Sequence, residues 1–194
     1  MLMRDVVVEG TKNILEYARL KKVKKVLFIS SGAVYGKQPS DLSHIPEDYA
    51  GAPESLNPLN AYGCAKRQAE NLCALYNHRF SVDFVVARCF AFVGPYLPLD
   101  AHFAIGNFIH DGLAGGPIVI KEDGTTVRSY LYTDDLAEWL WEALTKGKTG
   151  ENYNIGSGKN LRNIDLAKKI IKILKNKKIK FGKKVKIKFV KDRP

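Results

Sequence analysis

Tyr62 and Lys66 stand four residues apart in Tyr62-Gly63-Cys64-Ala65-Lys66, inside a stretch that reads as helix. Side chains at i and i+4 share one helical face, a turn apart, so the lysine charge can lie beside the phenol and favour its ionised form. An isolated tyrosine titrates near ~10, and acid/base work near neutrality asks for a drop of roughly 3 units, about 4 kcal/mol of differential stabilisation. A lysine at this spacing is one source of that difference. Taken alone, the pattern fits an ordinary helix with a half-exposed tyrosine and a solvated lysine better, because both residues are common and the spacing arises often by chance.

A second group of residues changes the balance. Upstream, the apolar run Val26-Leu27-Phe28-Ile29 reads as a buried strand and ends in Ser30-Ser31-Gly32-Ala33-Val34-Tyr35-Gly36. Hydroxyls at the carboxyl end of a parallel strand sit where open α/β sheets place their ligands. A polar loop rich in Pro, Gly, Ser and Asn fills residues 37–60 before the Tyr62 helix begins. Strand-end serine, long loop and then YxxxK is a far rarer coincidence than YxxxK alone.

The elements around these residues alternate. Periodicity and turn residues predict helices over 5–20, 61–77, 103–114, 133–144 and 164–174, and strands over 25–29, 83–88, 118–120, 128–130 and 152–155. Thr133 is the N-cap expected for its helix, with Asp134 and Asp135 in the favourable first turn. Alternation of this kind predicts a parallel sheet with helices on both faces.

Several stretches resemble, in order, the motifs of the extended short-chain dehydrogenase/reductases, in their NAD-dependent epimerase/dehydratase branch acting on nucleotide sugars. Gly10 to Glu16 is similar to the NVxGTxNLLE helix, Ser30 to Gly36 to the SSxxVYG strand end and Tyr62 to Lys66 to the catalytic helix. Ala87 to Pro95 resembles RxFNVxGP, Asp123 to Tyr130 resembles GDGxxxRDY, Tyr153 to Gly158 resembles YNxGxG, and Arg193-Pro194 the start of RPGD. The resemblance implies a partial Rossmann-like, doubly wound parallel sheet with a small C-terminal α/β substrate lobe. Residues 1–95 would be the C-terminal half of an NAD(P)-binding domain, and 96–194 mainly the substrate lobe, interleaved with the first and incomplete at its end.

The same resemblance implies roles. Tyr62 would be the acid/base, Lys66 would aid its ionisation and hold the nicotinamide ribose, and Ser31 would hydrogen-bond the reacting sugar oxygen. Ser30, Tyr62, Lys66 and Phe90 would touch the cofactor, NAD or NADP. Ser31, Arg128 and Arg193 would hold the nucleotide-diphosphate sugar, the arginines on its diphosphate, a task suited to a forked permanent charge. Without the resemblance Arg128 reads as a surface arginine and Ser31 as a turn serine. The helices over 5–20 and 61–77 would form a homodimer.

Departures shape the expectation. Val7 and Ala91 stand where the family usually carries Asn, and no GxxGxxG occurs, so the turn that lets backbone approach a pyrophosphate is missing. The chain resembles the middle-to-late portion of such an enzyme, and no detectable NAD(H) binding is expected of it alone. Nucleotide-sugar 4,6-dehydratases usually carry Asp-Glu after the strand-end Ser/Thr, because eliminating water needs its own acid and base. Gly32 and Ala33 occupy those positions and cannot move a proton. A 4-epimerase or 4-keto-sugar reductase of polysaccharide sugar biosynthesis is therefore expected ahead of a 4,6-dehydratase, with a non-catalytic remnant or interaction module as the reading from another class.

Composition bounds the rest. In 194 residues with 45% hydrophobic content there is enough for a core, and no apolar stretch approaches the ~20 residues of a bilayer span. A cytoplasmic protein without membrane contact is expected. Cys64, Cys73 and Cys89 show no metal or CxxC spacing, so reduced thiols and no metal site are expected. The net charge of +11 is concentrated. From Lys168 onward twelve Lys and Arg193 stand against Asp192, +12 in all, leaving about −1 elsewhere. These lysines interleave with Ile, Leu, Phe and Val at helical and then strand spacing, which reads as a wet amphipathic face before a polyanion site. Nucleic acid is not the expected partner.

Overall fold

The computed structural model describes residues 2–101, 103–121, 123–176 and 185–190. The chain divides into one unit of Met1–Phe90 with Asp134–Gly156 and a second of Ala91–Thr133 with Ser157–Pro194.

The first unit opens on helix α1 (Met3–Lys21), which buries Val8, Leu15 and Ala18 at helical spacing. Lys22 ends it in the left-handed region at φ 51°, while the Val23 N–H returns to the Ala18 carbonyl at 2.9 Å. Strands β1 (Val26–Ser31), β2 (Phe84–Cys89) and β6 (Asn152–Ile155) form a parallel sheet in the order β1-β2-β6. The register sets Ser30 beside Arg88, Ser31 beside Cys89 and Arg88 beside Asn154.

Alternation along the strands decides the faces. Val26, Phe28, Phe84 and Val86 point toward α1 and toward helix α2 (Ala61–Phe80), enclosing Leu15, Ala18, Cys73 and Val82. Val85 points the opposite way, where it meets Gly147 just beyond helix α4 (Thr133–Lys146). Strand β1 has a sheet neighbour on one side among the described residues, and Ile29 on it stays 48% exposed, unusual for a parallel strand.

The second unit holds β3 (Ala91–Val93), β5 (Val127–Tyr132) and β7 (Asn160–Arg162) in one sheet, β3 parallel and β7 antiparallel to β5. Strands β4 (Ile118–Lys121) and β8 (Ile187–Val190) pair in parallel. Helices α3 (Ala104–Leu113) and α5 (Asn163–Asn176) close a core of Ile105, Phe108, Ile118, Ile120, Leu166, Ala167, Ile170 and Leu174. The lysines of α5 lie between these buried positions, so the basic run 168–175 is the wet face of an amphipathic helix.

The helices and strands expected from periodicity are all present, with ends shifted by a few residues. The fold is a mixed α/β arrangement with parallel sheets and helices, and among the described residues one strand pair is antiparallel. Strand β7 runs antiparallel to β5, pairing Val127 with Arg162 and Ser129 with Asn160. No helix among the described residues is long and apolar enough to cross a membrane.

Candidate active site

Ser31 is the last residue of β1, and its hydroxyl accepts the Ala33 N–H at 3.2 Å, capping a single 3-10 turn over Gly32–Tyr35. The turn lies directly against α2. A Cβ built on Gly63 would stand 2.6 Å from the Ala33 carbonyl oxygen, so the residue after Tyr62 has to lack a side chain for the helix to come this close. Helix α2 thereby carries Tyr62 and Lys66 to the carboxyl end of β1.

Tyr62 is 42% exposed. The Lys66 ammonium lies 5.8 Å from the Tyr62 ring centroid and 4.9 Å from that of Phe28, and donates to the Ile29 carbonyl at 2.7 Å. Burial holds the Lys66 ammonium below the ordinary lysine range, opposed by the Cys89 thiol and the Glu70 carboxylate. Burial in turn pushes the Cys89 thiol up, with Lys66 opposing.

Phe90, immediately after β2, stacks on Tyr35 with centroids 6.5 Å apart. Its ring also covers Gly32, on which a Cβ would lie 2.7 Å from a ring carbon. Ser30 is 3% exposed and donates its hydroxyl to Glu70 at 2.5 Å. Ser30, Ser31, Tyr62, Lys66 and Phe90 all belong to the first unit. Arg128 lies in the second, exposed on β5, with its guanidinium donating to the Val127 carbonyl at 2.8 Å. Arg193 lies outside the described residues.

Four residues that the motifs did not single out as site residues tie this end of the sheet together. Arg88 on β2 donates to both Glu70 oxygens, at 3.1 and 2.7 Å, a bidentate pair whose side chains are each 13% exposed. One guanidinium nitrogen also donates to the Tyr35 hydroxyl at 2.8 Å and to the Glu47 carbonyl at 3.2 Å. The Tyr35 hydroxyl donates to Asn154 Oδ1 at 2.8 Å, and the Asn154 amide donates to the Ile45 carbonyl at 2.8 Å. Burial works against the Arg88 charge, but the Glu70 carboxylate and the Tyr35 hydroxyl outweigh it and hold the guanidinium above the ordinary arginine range.

The loop over 37–57 is bound into the same assembly. Arg67, beside Lys66 on α2, donates to the Val34 carbonyl at 3.1 Å and the Gly51 carbonyl at 2.9 Å. Sequence did carry one signal for this network. An arginine inside the buried run Phe84-Val85-Val86-Ala87-Arg88-Cys89 needs a partner, since an unpaired charge there would be costly.

The arrangement can do proton chemistry: a phenol open to solvent, an ammonium on the same helical face and a hydroxyl on the adjoining strand end. No group of three His, Cys, Asp or Glu that could hold a metal occurs among the described residues.

The model of the NAD dependent epimerase/dehydratase family matches residues 3–156. A dTDP-D-glucose 4,6-dehydratase of Dictyostelium discoideum is 32% identical over 168 residues, 84% of this chain and 38% of that protein. Among solved structures, a dTDP-glucose 4,6-dehydratase of Bacillus anthracis in complex with NAD superposes with TM-score 0.80 at 28% identity, over 98% of this chain and 57% of its own. A UDP-glucuronic acid 4-epimerase of Bacillus cereus, solved with UDP-glucuronic acid and NAD, gives 0.80 at 29% over 97% and 55%. The chain thus spans less than two thirds of each protein it matches here.

Proposed function

The chain belongs to the NAD dependent epimerase/dehydratase family, and from that membership we propose that it carries the acid/base part of a nucleotide-sugar 4-epimerase or 4-keto-sugar reductase. NAD, when bound, supplies hydride acceptance and donation at the sugar carbon. Tyr62 takes the proton from the sugar hydroxyl on oxidation and returns it to the same oxygen on reduction. Ser31 donates a hydrogen bond to that oxygen and steadies its charge.

Lys66 fits the ribose end of the cofactor, because an ammonium has three donors and only one is given to Ile29. Phe90 would lie by the nicotinamide. Ser30 donates its hydroxyl hydrogen to Glu70, so its hydroxyl oxygen remains as an acceptor for a cofactor contact. The pyrophosphate end of NAD or NADP finds no GxxGxxG turn in this sequence, and binding by this chain alone is expected below detection. In the second unit Arg128, and Arg193 beyond the described residues, would hold the sugar nucleotide's diphosphate.

The observation that carries the choice of reaction is the turn after Ser31. Gly32 and Ala33 offer no proton carrier, and an acid at Gly32 would have to displace the Phe90 ring. The dehydratase reading has its own support in the similarity to two dTDP-glucose 4,6-dehydratases. Joining this chain to the dinucleotide-binding part of a relative and weighing the product separates them. Epimerisation leaves the sugar's mass unchanged and keto reduction adds two hydrogens, whereas loss of water would refute the proposal. In the same protein Tyr62→Phe should abolish turnover while sparing sugar-nucleotide binding, and retained turnover removes Tyr62 from the mechanism.

A homodimer through α1 and α2 belongs to this reading. Val6, Ile14 and Tyr17 on α1 and Leu75 on α2 are large apolar side chains open to solvent. Light scattering that finds only monomer at micromolar concentration would remove it.

A further inference from the structure

We infer that Arg88 is a positioning residue for Lys66: by pairing with both oxygens of Glu70, the carboxylate one helical turn beyond the ammonium, it keeps Lys66 out of an intrahelical ion pair and at the end of β1. The inference rests on the reading of Lys66 as a site residue and explains how that side chain stays available.

Lysine and glutamate at i and i+4 can pair on a helix, better with the glutamate first, and in that order Glu142 meets Lys146 at 2.8 Å. Lys66 and Glu70 have the same spacing in the reverse, weaker order, and Lys66 turns to the Ile29 carbonyl and the Phe28 ring. Both Glu70 oxygens are also taken, one by Ser30 and the Arg88 Nε, the other by a terminal Arg88 nitrogen.

Arg88 cannot swing away to release them, since the Tyr35 hydroxyl and the Glu47 carbonyl hold its remaining nitrogen. The charged and titratable groups around Lys66 are then Tyr62, Arg67 and Glu70 on its own helix, Arg88 and Cys89 on β2, and Tyr35 on the 3-10 turn. Strand β1 contributes a carbonyl, a ring and hydroxyls. Glu70 is the carboxylate in that set, and with Arg88 paired to it its charge still favours the Lys66 ammonium, but less than burial disfavours it.

The test is a titration of Lys66 in this chain by NMR with 13Cε-labelled lysine, its signal identified by loss in Lys66→Arg. Arg88→Gln frees Glu70, so the Lys66 midpoint should move up by about one unit, the low end of what an opposite charge at 4–6 Å does. Adding Glu70→Gln to Arg88→Gln should return it. An unmoved or lowered midpoint in folded Arg88→Gln, or failure of the double variant to return it, overturns the inference. If Arg88→Gln does not fold, Arg88→Lys carries the test, because one ammonium cannot satisfy both carboxylate oxygens. Its midpoint should shift the same way by a smaller step, and no shift overturns the inference. Because the readout needs neither cofactor nor turnover, its outcome is separate from that of Tyr62→Phe.

Discussion

Tyr35→Phe removes one oxygen from the centre of the network and leaves the ring in place. The ring is 1% exposed and packs against Phe90, Tyr49 and the Arg88 guanidinium, none of which requires the hydroxyl. That hydroxyl accepts from Arg88 at 2.8 Å and donates to Asn154 Oδ1 at 2.8 Å. At this depth no bulk water takes its place. The charge-assisted bond is worth roughly 1.5–3 kcal/mol and the neutral one about 1. Arg88 keeps Glu70 and the Glu47 carbonyl, which softens its loss, so the net cost should be about 2–3 kcal/mol. For a chain of this length that is a fall in Tm of roughly 4–12 °C. Urea unfolding followed by far-ultraviolet circular dichroism, with Asn154→Ala and the double variant completing a cycle, should give a coupling of about 1 kcal/mol. A cost under about 0.5 kcal/mol, or additive variants, would mean that the hydroxyl does not bridge Arg88 and Asn154, and the reasoning would fail.

Gly63→Ala should cost about 1–3 kcal/mol, since its Cβ meets the Ala33 carbonyl at 2.6 Å. Gly10→Ala, also helical but with nothing within 4 Å, should instead stabilise by up to about 1 kcal/mol; equal effects at the two sites in urea melts would remove the argument from close approach. Burial, with help from Glu70, pushes the Cys73 thiol from 9.0 up to about 12. The folded value lies above the unfolded one, so the native state keeps its proton longer and stability falls as pH rises from about 9 to about 12. Cys73→Ala should flatten that fall by up to about 1.4 kcal/mol per pH unit, and an unchanged slope in denaturant titrations would contradict the assignment.

How much could be read from the sequence depended on whether a feature was local. The helix carrying Tyr62 and Lys66 and the strand ending at Ser31 announce themselves through period and flanking turns. Strands β3 and β7, at three residues each, are too short to show a period, and β8 showed only as lysine alternation. The bond between Glu70 and Arg88 joins residues eighteen apart, and nothing along the chain states that pairing. Tyr35 sat inside a motif, but its hydroxyl bridges to Asn154, 119 residues away. Such a link exists only once β1, β2 and β6 stand in register.

The first unit is written in two pieces, with residues 91–133 of the second unit intervening. On the ribosome this is a matter of timing. Arg88 and Tyr35 emerge with β1, β2, α1 and α2, while Asn154 is added 66 residues after Arg88. At roughly 5–20 residues per second, that delay is about 3–13 s. Through that interval the β6 side of β2 has no strand beside it and the Tyr35 hydroxyl has no Asn154 to reach. The network at this end of the sheet is therefore completed only once Asn154 has been added.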